Sequence, residues 1–598
     1  MRLTTLLRVT AARPFSMLAA GISAAGLFCS APPVHAGSAA WSMTPSSGVW
    51  NDPTNWMPAT VPNGPSDVAT FSISDRTDVS LASSVEVNAI DFTAGASAFN
   101  ISAGPGVTLT ISGAGVSNTS GVTQTFTTSD NSNYGSGLIM FMNSATAGDG
   151  NIYRNKGDSF GILGVASTEF FGTSNAGTST IINTDPGKSF MAGGITEFFD
   201  QSSAANSTIV NLAANTGNIL DAFGATTYFN DDSTAANATL IAQGSDAVGD
   251  DAPEIDFLDQ STADHSTISI QAGGPEAGGV SGAIFFEDNS TAANASITLQ
   301  GAPAGGNDAA FGQFVGSATA GSANIVLETG EGDGGFLSFF DTTSGGQAAF
   351  TVNGTSVLDM QFHSAPGMAV GSLAGDGTVS IGSLALTIGT NNQDSEFAGI
   401  IQDSTDHTGS VVKIGTGILT LSGANPYGGG TTVRAGTLVV SNTVGSGTGT
   451  GLVKVADATF GGSGIVAGPV TMLNGGLLTP SAGATSRTTL TIQDILTLSS
   501  TSTYIYTFKA NRNQAQTDLV IANGVAIKNA ILNLSGQIND RLKPGLTLTL
   551  ISNTSANPIS GTFANLPGGG TVTVNGINFQ ANYEGGDGND LTLTAVQP

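Results

Sequence analysis

The chain has 598 residues, 82 of them glycine and only 10% charged, and its 16 basic against 44 acidic side chains leave a net charge of −28. That balance disfavours nucleic acid and anionic membrane surfaces, whose affinity for proteins comes mainly from Lys and Arg on phosphates. Calcium, cationic surfaces and neutral glycans stay open as partners.

Residues 1–36 read as a secretory signal peptide. Arg2, Arg8 and Arg13 make a basic start, Met17 to Phe28 a short apolar core, and Val34-His35-Ala36 a small-residue cleavage site. No twin-arginine pair is present, and Phe28 before Cys29 does not suit lipoprotein processing, so general secretion is expected. The single cysteine, Cys29, would leave with this segment. An exported chain without cysteine has no disulfides and must be stabilised by packing. No later stretch approaches 18 consecutive apolar residues, so no transmembrane span is expected in the mature chain.

Residues 37–130 are expected to form an N-terminal cap and the first β coils. They open on Trp50-Asn51-Asp52-Pro53-Thr54-Asn55-Trp56 and continue in alternating segments to Ile111. Two readings fit the paired tryptophans: rings covering the first coil, since the ends of a solenoid need an atypical unit, or an aromatic platform for sugars.

Residues 131–375 hold eight to nine copies of one repeat of roughly 28 residues. Its clearest copies are EFFDQSSAANSTI (197–209), TYFNDDSTAANATL (227–240), DFLDQSTADHSTI (256–268) and IFFEDNSTAANASI (284–297). Each copy has a phenylalanine, at Phe141, Phe170, Phe198, Phe229, Phe257, Phe286, Phe314 and Phe339, in steps of 29, 28, 31, 28, 29, 28 and 25 residues. Eleven residues on comes an apolar residue: Ile152, Ile181, Ile209, Leu240, Ile268, Ile297, Ile325 and Phe350. A degenerate ninth copy is expected at Phe362 and Leu373. Apolar residues alternate within each unit, as in Thr208-Ile209-Val210-Asn211-Leu212, so both segments are strands. Glycine abundance and scarce helix formers exclude a helical repeat of the same period. The expected fold class is all-β, an elongated right-handed parallel β-helix (β-solenoid) with atypical capping ends. The phenylalanines would form an internal ladder, Asn206, Asn237 and Asn294 part of a turn ladder, and Ala204, Ala235, Ala263 and Ala292 a tight corner.

From about Ser380 the phenylalanine repeat gives way to shorter β segments, across a region spanning 376–500. Lys413-Ile414-Gly415-Thr416-Gly417-Ile418-Leu419-Thr420-Leu421-Ser422-Gly423, the turn Asn425-Pro426-Tyr427 and the strand Val433-Arg434-Ala435-Gly436-Thr437-Leu438 resemble the autotransporter-associated β-strand repeat, over residues 411–440. Ile418 and Pro426 stand where that repeat usually has threonine. The resemblance implies a passenger β-helix, exported and displayed or released at the cell surface, with adhesion the commonest association. Full autotransporters add a C-terminal membrane barrel of many strands of about 10 residues. Residues 501–598 offer only a few strands and end Ala595-Val596-Gln597-Pro598, so a C-terminal β cap region is expected there and not a barrel.

Candidate sites are few. Asp200, Asp231, Asp259, Asp288 and Asp341 stand two residues after the repeat phenylalanine. Each either accepts amide hydrogen bonds within its own turn or belongs to a carboxylate ladder binding calcium, which wants several oxygen ligands. Asp250, Asp251, Glu254 and Asp256 form either a solvated loop or a glycosidase carboxylate pair. Gly585-Gly586-Asp587-Gly588-Asn589-Asp590 resembles a single calcium-binding nonapeptide, or is a plain turn. His265, His363 and His407 have no metal-ligand spacing, and no nucleophile elbow or phosphate loop is present. From residue 189 to 412 there are 26 acids and no Lys or Arg, so the base a β-helix lyase generally needs is missing there. The reading is therefore an exported, non-enzymatic surface or matrix solenoid without a cofactor, possible calcium aside, with a cell-surface or glycan ligand. Its alternative is a secreted polysaccharide-degrading β-helix enzyme using Asp pairs.

Overall fold

The computed structural model describes residues 37–596, apart from 131–134, 158–164, 185–192, 214–223, 249–251, 276–278, 307 and 485. The expected signal peptide lies outside the described residues. The chain winds into a parallel β-solenoid of about 18 turns. Among the described residues the one helical element is a single 3-10 turn, Pro53–Asn55.

Two long sheets run along the axis. The first has 16 strands, beginning at the edge strand Trp56–Met57 beside Ala39–Trp41 and Gly64–Phe71, taking one strand from each repeat between Leu138–Phe141 and Phe336–Phe339, and ending at Ile400–Asp403. The second starts at Asp78–Ser80 and forks at Gly367–Gly375. There Gly367 to Val370 pair with Ala385 to Ile388, while Gly375 pairs with Phe397. A third sheet of seven strands begins at Ile465–Val466 and closes the C-terminal end with the antiparallel strands Thr547–Asn553, Asp590–Val596, Ile577–Gly585 and Thr571–Val574.

Alternation along each strand sends every second side chain inward. Parallel, in-register pairing then sets each inward residue on its counterpart one coil away. Phe141, Phe170, Phe198, Phe229, Phe257, Phe286, Phe314 and Phe339 accordingly form one buried column, with ring centroids 4.6–4.9 Å apart and planes within 8°. Burial of each ring contributes roughly 1.5–3 kcal/mol. Tyr153, Ile181, Ile209, Leu240, Ile268, Ile297, Ile325, Phe350 and Leu373 line the opposite wall.

Register corrects two positions of the repeat. Tyr153, and not Ile152, pairs with Ile181, because a bulge between Asp149 and Ile152 adds a residue to that strand. Ser338 pairs with Asp359, which puts Met360, fully buried, next in the phenylalanine column. Phe362 is 59% exposed and stacks outside on Phe340.

The asparagine ladder also lies elsewhere than expected. Asn206, Asn237 and Asn294 are exposed. The inward asparagines are Asn155, Asn183 and Asn211, buried, with Asn155 Nδ2 donating to Asn183 Oδ1 at 2.8 Å and Asn183 Nδ2 to Asn211 Oδ1 at 2.7 Å. Thr168, Thr196 and Thr227, from the facing sheet, donate to the same carbonyl oxygens at 2.8–2.9 Å. Each buried amide is thereby satisfied within the stack.

At the N-terminal end Trp50 and Trp56 are buried, ring centroids 4.9 Å apart, and both pack on Phe71. Trp41, which the sequence reading passed over, joins them at 5.1 Å from Trp56. The indole N–H of Trp50 donates to Pro62 O at 3.0 Å and that of Trp56 to Trp50 O at 2.7 Å. These rings close the first coil, and burial removes them as a sugar platform.

Deleting a ring from the column leaves a cavity between two rigid neighbours. Phe229→Ala or Phe257→Ala should cost about 3–5 kcal/mol in urea unfolding, the pair should be non-additive in a double-mutant cycle, and Phe362→Ala should cost under about 1 kcal/mol. Equal losses at all three positions would contradict the register described above.

Candidate functional site

Each repeat turns from the first sheet to the second through one conformation. The residue two past the phenylalanine is left-handed in every copy: Asn143, Gly172, Asp200, Asp231, Asp259, Asp288, Gly316 and Asp341, with the aspartates at φ of 50–55°. L-residues enter this region at a cost, and Gly, Asn and Asp bear it best. That restriction accounts for the residue types in the slot.

The five aspartates do not bond within their own turns. Each carboxylate reaches back one coil and accepts the amide of the equivalent residue there. Gly172 N–H donates to Asp200 Oδ2 at 2.8 Å, Asp200 N–H to Asp231 Oδ2 at 3.0 Å, and Asp231 N–H to Asp259 Oδ2 at 3.1 Å. Asp259 N–H donates to Asp288 Oδ2 at 3.4 Å, and Gly316 N–H to Asp341 Oδ2 at 3.1 Å. In this slot the acceptor comes from the next coil, whereas the second left-handed residue of a turn, such as Ala205 or Ala236, donates to a hydroxyl two residues before it. Four carboxylates therefore stand on consecutive coils, from Asp200 to Asp288, each with one oxygen engaged by a backbone N–H. Among the described residues no three His, Cys, Asp or Glu side chains converge as they would around a metal ion.

The remaining candidates fall apart spatially or into turns. Asp250 and Asp251 lie outside the described residues. Glu254 and Asp256 share one strand, Glu254–Phe257, in register with Thr226 and Tyr228 of the coil before. Gly585 to Asp590 form the connection between two antiparallel strands, with Asp590 Oδ1 accepting Asn553 N–H at 2.9 Å. His265 contacts Asp264, His363 the carbonyls of Thr343 and Ser364, and His407 Asp403, so each is locally engaged.

Two features went unread in the sequence. Glu169 and Glu197 are register neighbours on the first sheet, signalled only by the same E-F-F triplet in adjacent copies. Burial, with the Glu169 charge adding to it, drives the Glu197 carboxyl up to about 8. Burial raises Glu169 as well, against a 2.7 Å hydrogen bond from Ser167. The second feature is Asp518, wholly buried, which accepts from Thr507 N–H at 3.0 Å, Thr507 Oγ1 at 2.8 Å and Thr488 N–H at 3.2 Å.

In the segment 411–440 the motif residues are buried and hydrogen-bonded, with Asn425 linking neighbouring coils and Lys413 reaching Ala435 O at 3.4 Å. Lys413, 1% exposed, donates from Nζ to the carbonyls of Ile414 at 2.6 Å and Gly415 at 3.1 Å, and burial lowers its pKa. Asn425 accepts Ile401 N–H at 2.8 Å and donates to Gly447 O at 2.8 Å, linking the coils on either side. Tyr427 is buried with its hydroxyl 2.7 Å from Thr431 Oγ1. These same residues, 411–440, match the family model of the passenger-associated-transport-repeat. The chain is a passenger-like β-helix.

Among curated proteins it is similar to the adhesin BmaC autotransporter of Brucella suis biovar 1 (strain 1330), 35% identical over 117 residues. That match spans 19% of this chain and 3% of the adhesin's length. Among solved structures it is similar to the Haemophilus influenzae Hap adhesin, at 11% identity and a TM-score of 0.29, over 89% of this chain and 64% of that one.

Two measurements probe the acidic groups of the passenger-like β-helix. With the ladder carboxylates engaged by amides, millimolar calcium should leave Tm unchanged, and Asp231→Ala, which loses an acceptor and strains the left-handed slot, should cost about 1–3 kcal/mol. A calcium-dependent rise in Tm erased by Asp231→Asn with Asp259→Asn would assign the ladder to the ion. The raised Glu197 carboxyl gives stability that is complete below the unfolded value near 4.5 and is lost as pH rises through about 8. Glu197→Gln should therefore flatten the fall in Tm between pH 6 and pH 9; equal slopes in both proteins would contradict this.

Proposed function

We propose that this chain is an exported, non-enzymatic β-solenoid that presents its repeats at the cell surface or in the extracellular matrix, and that it is adhesive. The observation carrying this reading is the passenger repeat itself. Lys413 and Asn425 within it, and the aspartate ladder before it, are engaged in joining coil to coil and Tyr427 is buried, which leaves repetitive surface as what the molecule offers. A cell-surface or neutral glycan ligand suits an acidic array that repels phosphate polymers. The adhesin name of the curated relative agrees with the reading.

The second reading is a polysaccharide-degrading β-helix enzyme, resting on Glu254 and Asp256 sharing one strand. Beads coated with the secreted protein should be retained on matrix- or polysaccharide-coated surfaces above bare beads. Incubation with a polysaccharide panel should yield neither reducing ends nor unsaturated products. Turnover that disappears in Asp256→Ala would replace the first reading with the second. Cell fractionation that finds the chain in the cytoplasm would remove both.

A further inference from the structure

Charge is unevenly placed along the solenoid. Residues 189–412 hold 26 acidic and no basic side chains, whereas 413–598 hold nine basic against seven acidic. Several of these cations meet at one corner. Lys509 is exposed on the strand Thr503–Ala510, and the chain beyond it, through Arg512, runs beside the segment that follows the strand Ile531–Ile538. Asn539 N–H donates to Ala510 O at 3.0 Å and Lys543 N–H to Arg512 O at 2.9 Å, so the two segments are fastened together. Lys509, Arg512, Arg541 and Lys543 are all exposed there. Arg487 joins them from a third segment, its Nη2 donating to Phe508 O at 3.4 Å while its Nε is buried without a partner.

The acids nearby are Asp540, exposed and accepting Arg541 N–H at 2.7 Å, and Asp518, buried beneath and held by Thr507, Thr488 and Ser481. Among the described residues none of the five cations is in an ion pair.

We propose that this corner docks the solenoid on an anionic, phosphate-bearing bilayer surface, with the acidic coils held away from it. Four exposed cations and a fifth behind them match the cluster size, about 4–8 Lys and Arg, that anionic headgroups hold. At physiological salt the attraction reaches about 8 Å, less than two coils at a strand spacing of about 4.8 Å. The acidic coils therefore oppose binding only when the solenoid lies flat, and the bound molecule stands on its corner. This inference rests on charge placement and is independent of the adhesive reading.

Sedimentation with vesicles of equal parts phosphatidylcholine and phosphatidylglycerol tests it, with phosphatidylcholine vesicles as the neutral reference. The intact protein should partition onto the anionic vesicles and leave them as salt rises. Arg541→Gln with Lys543→Gln should weaken partitioning about tenfold or more, with an unchanged melting curve. Lys454→Gln, an exposed cation on a different coil, should change it little. Absence of binding, or equal binding by the double variant, would overturn the proposal. So would displacement by inorganic phosphate at matched ionic strength, which makes the corner a single-phosphate site, or equal retention on duplex DNA. Self-association without vesicles that the double variant abolishes would assign the corner to a second copy of the chain and overturn it likewise.

Discussion

Parallel, in-register stacking imposes one condition on every slot of this chain: a side chain must tolerate a copy of itself about 4.8 Å away. Flat aromatic rings meet the condition by stacking, and the buried column from Phe141 to Phe339 is the outcome. Amides meet it by donating to the next amide, as Asn155, Asn183 and Asn211 do. Carboxylates meet it worst, since like charges at that spacing repel. The aspartate slot survives because each carboxylate finds a backbone N–H of the coil before it, so the repulsion along the column is offset by a bond that needs the same spacing.

The same condition limits which side chains can meet. An acid–base or nucleophile–base pair needs dissimilar residues brought together, whereas a stacked repeat brings like beside like. Glu169 beside Glu197 illustrates the result: burial raises both carboxyls, the Glu169 charge raises Glu197 further, and two like acids stand in register. Where dissimilar groups do converge, Asp518 accepts Thr488 N–H and Lys413 donates to Ala435 O, so they bind backbone of a neighbouring coil.

Much of the fold was legible in the sequence because periodicity is written residue by residue. The phenylalanine column, the second apolar wall and the repeat at 411–440 all follow from spacing and motif. What spacing could not supply was register at irregular copies. A bulge before Ile152 moves Tyr153 inward, and the shorter eighth unit brings Met360, not Phe362, under Phe339. The internal asparagines were hidden for another reason. Asn155, Asn183 and Asn211 lie beyond the shared turn sequence, while Asn206, Asn237 and Asn294 stand within it and lie outside. The aspartate slot was legible as a position, but its partner was not, because an amide one coil away leaves no mark in the local sequence.

The interior changes character partway along. Asn211 is followed in its column by Ala242 and then Ile270, and Thr227 in the facing column by Ile255. In these two interior columns the contact between coils passes from hydrogen-bonded amides to aliphatic packing, while the backbone ladders and the phenylalanine column run on unchanged. Each coil touches only its neighbours, so a pull along the axis passes through every junction in series and is shared by none. Directional bonds resist small displacements stiffly and then fail, whereas aliphatic contacts slide and re-form. Stretched from its ends, the solenoid meets the same backbone ladders on both sides of Ala242, and what changes there is its filling, from bonds that break at small displacement to contacts that slide.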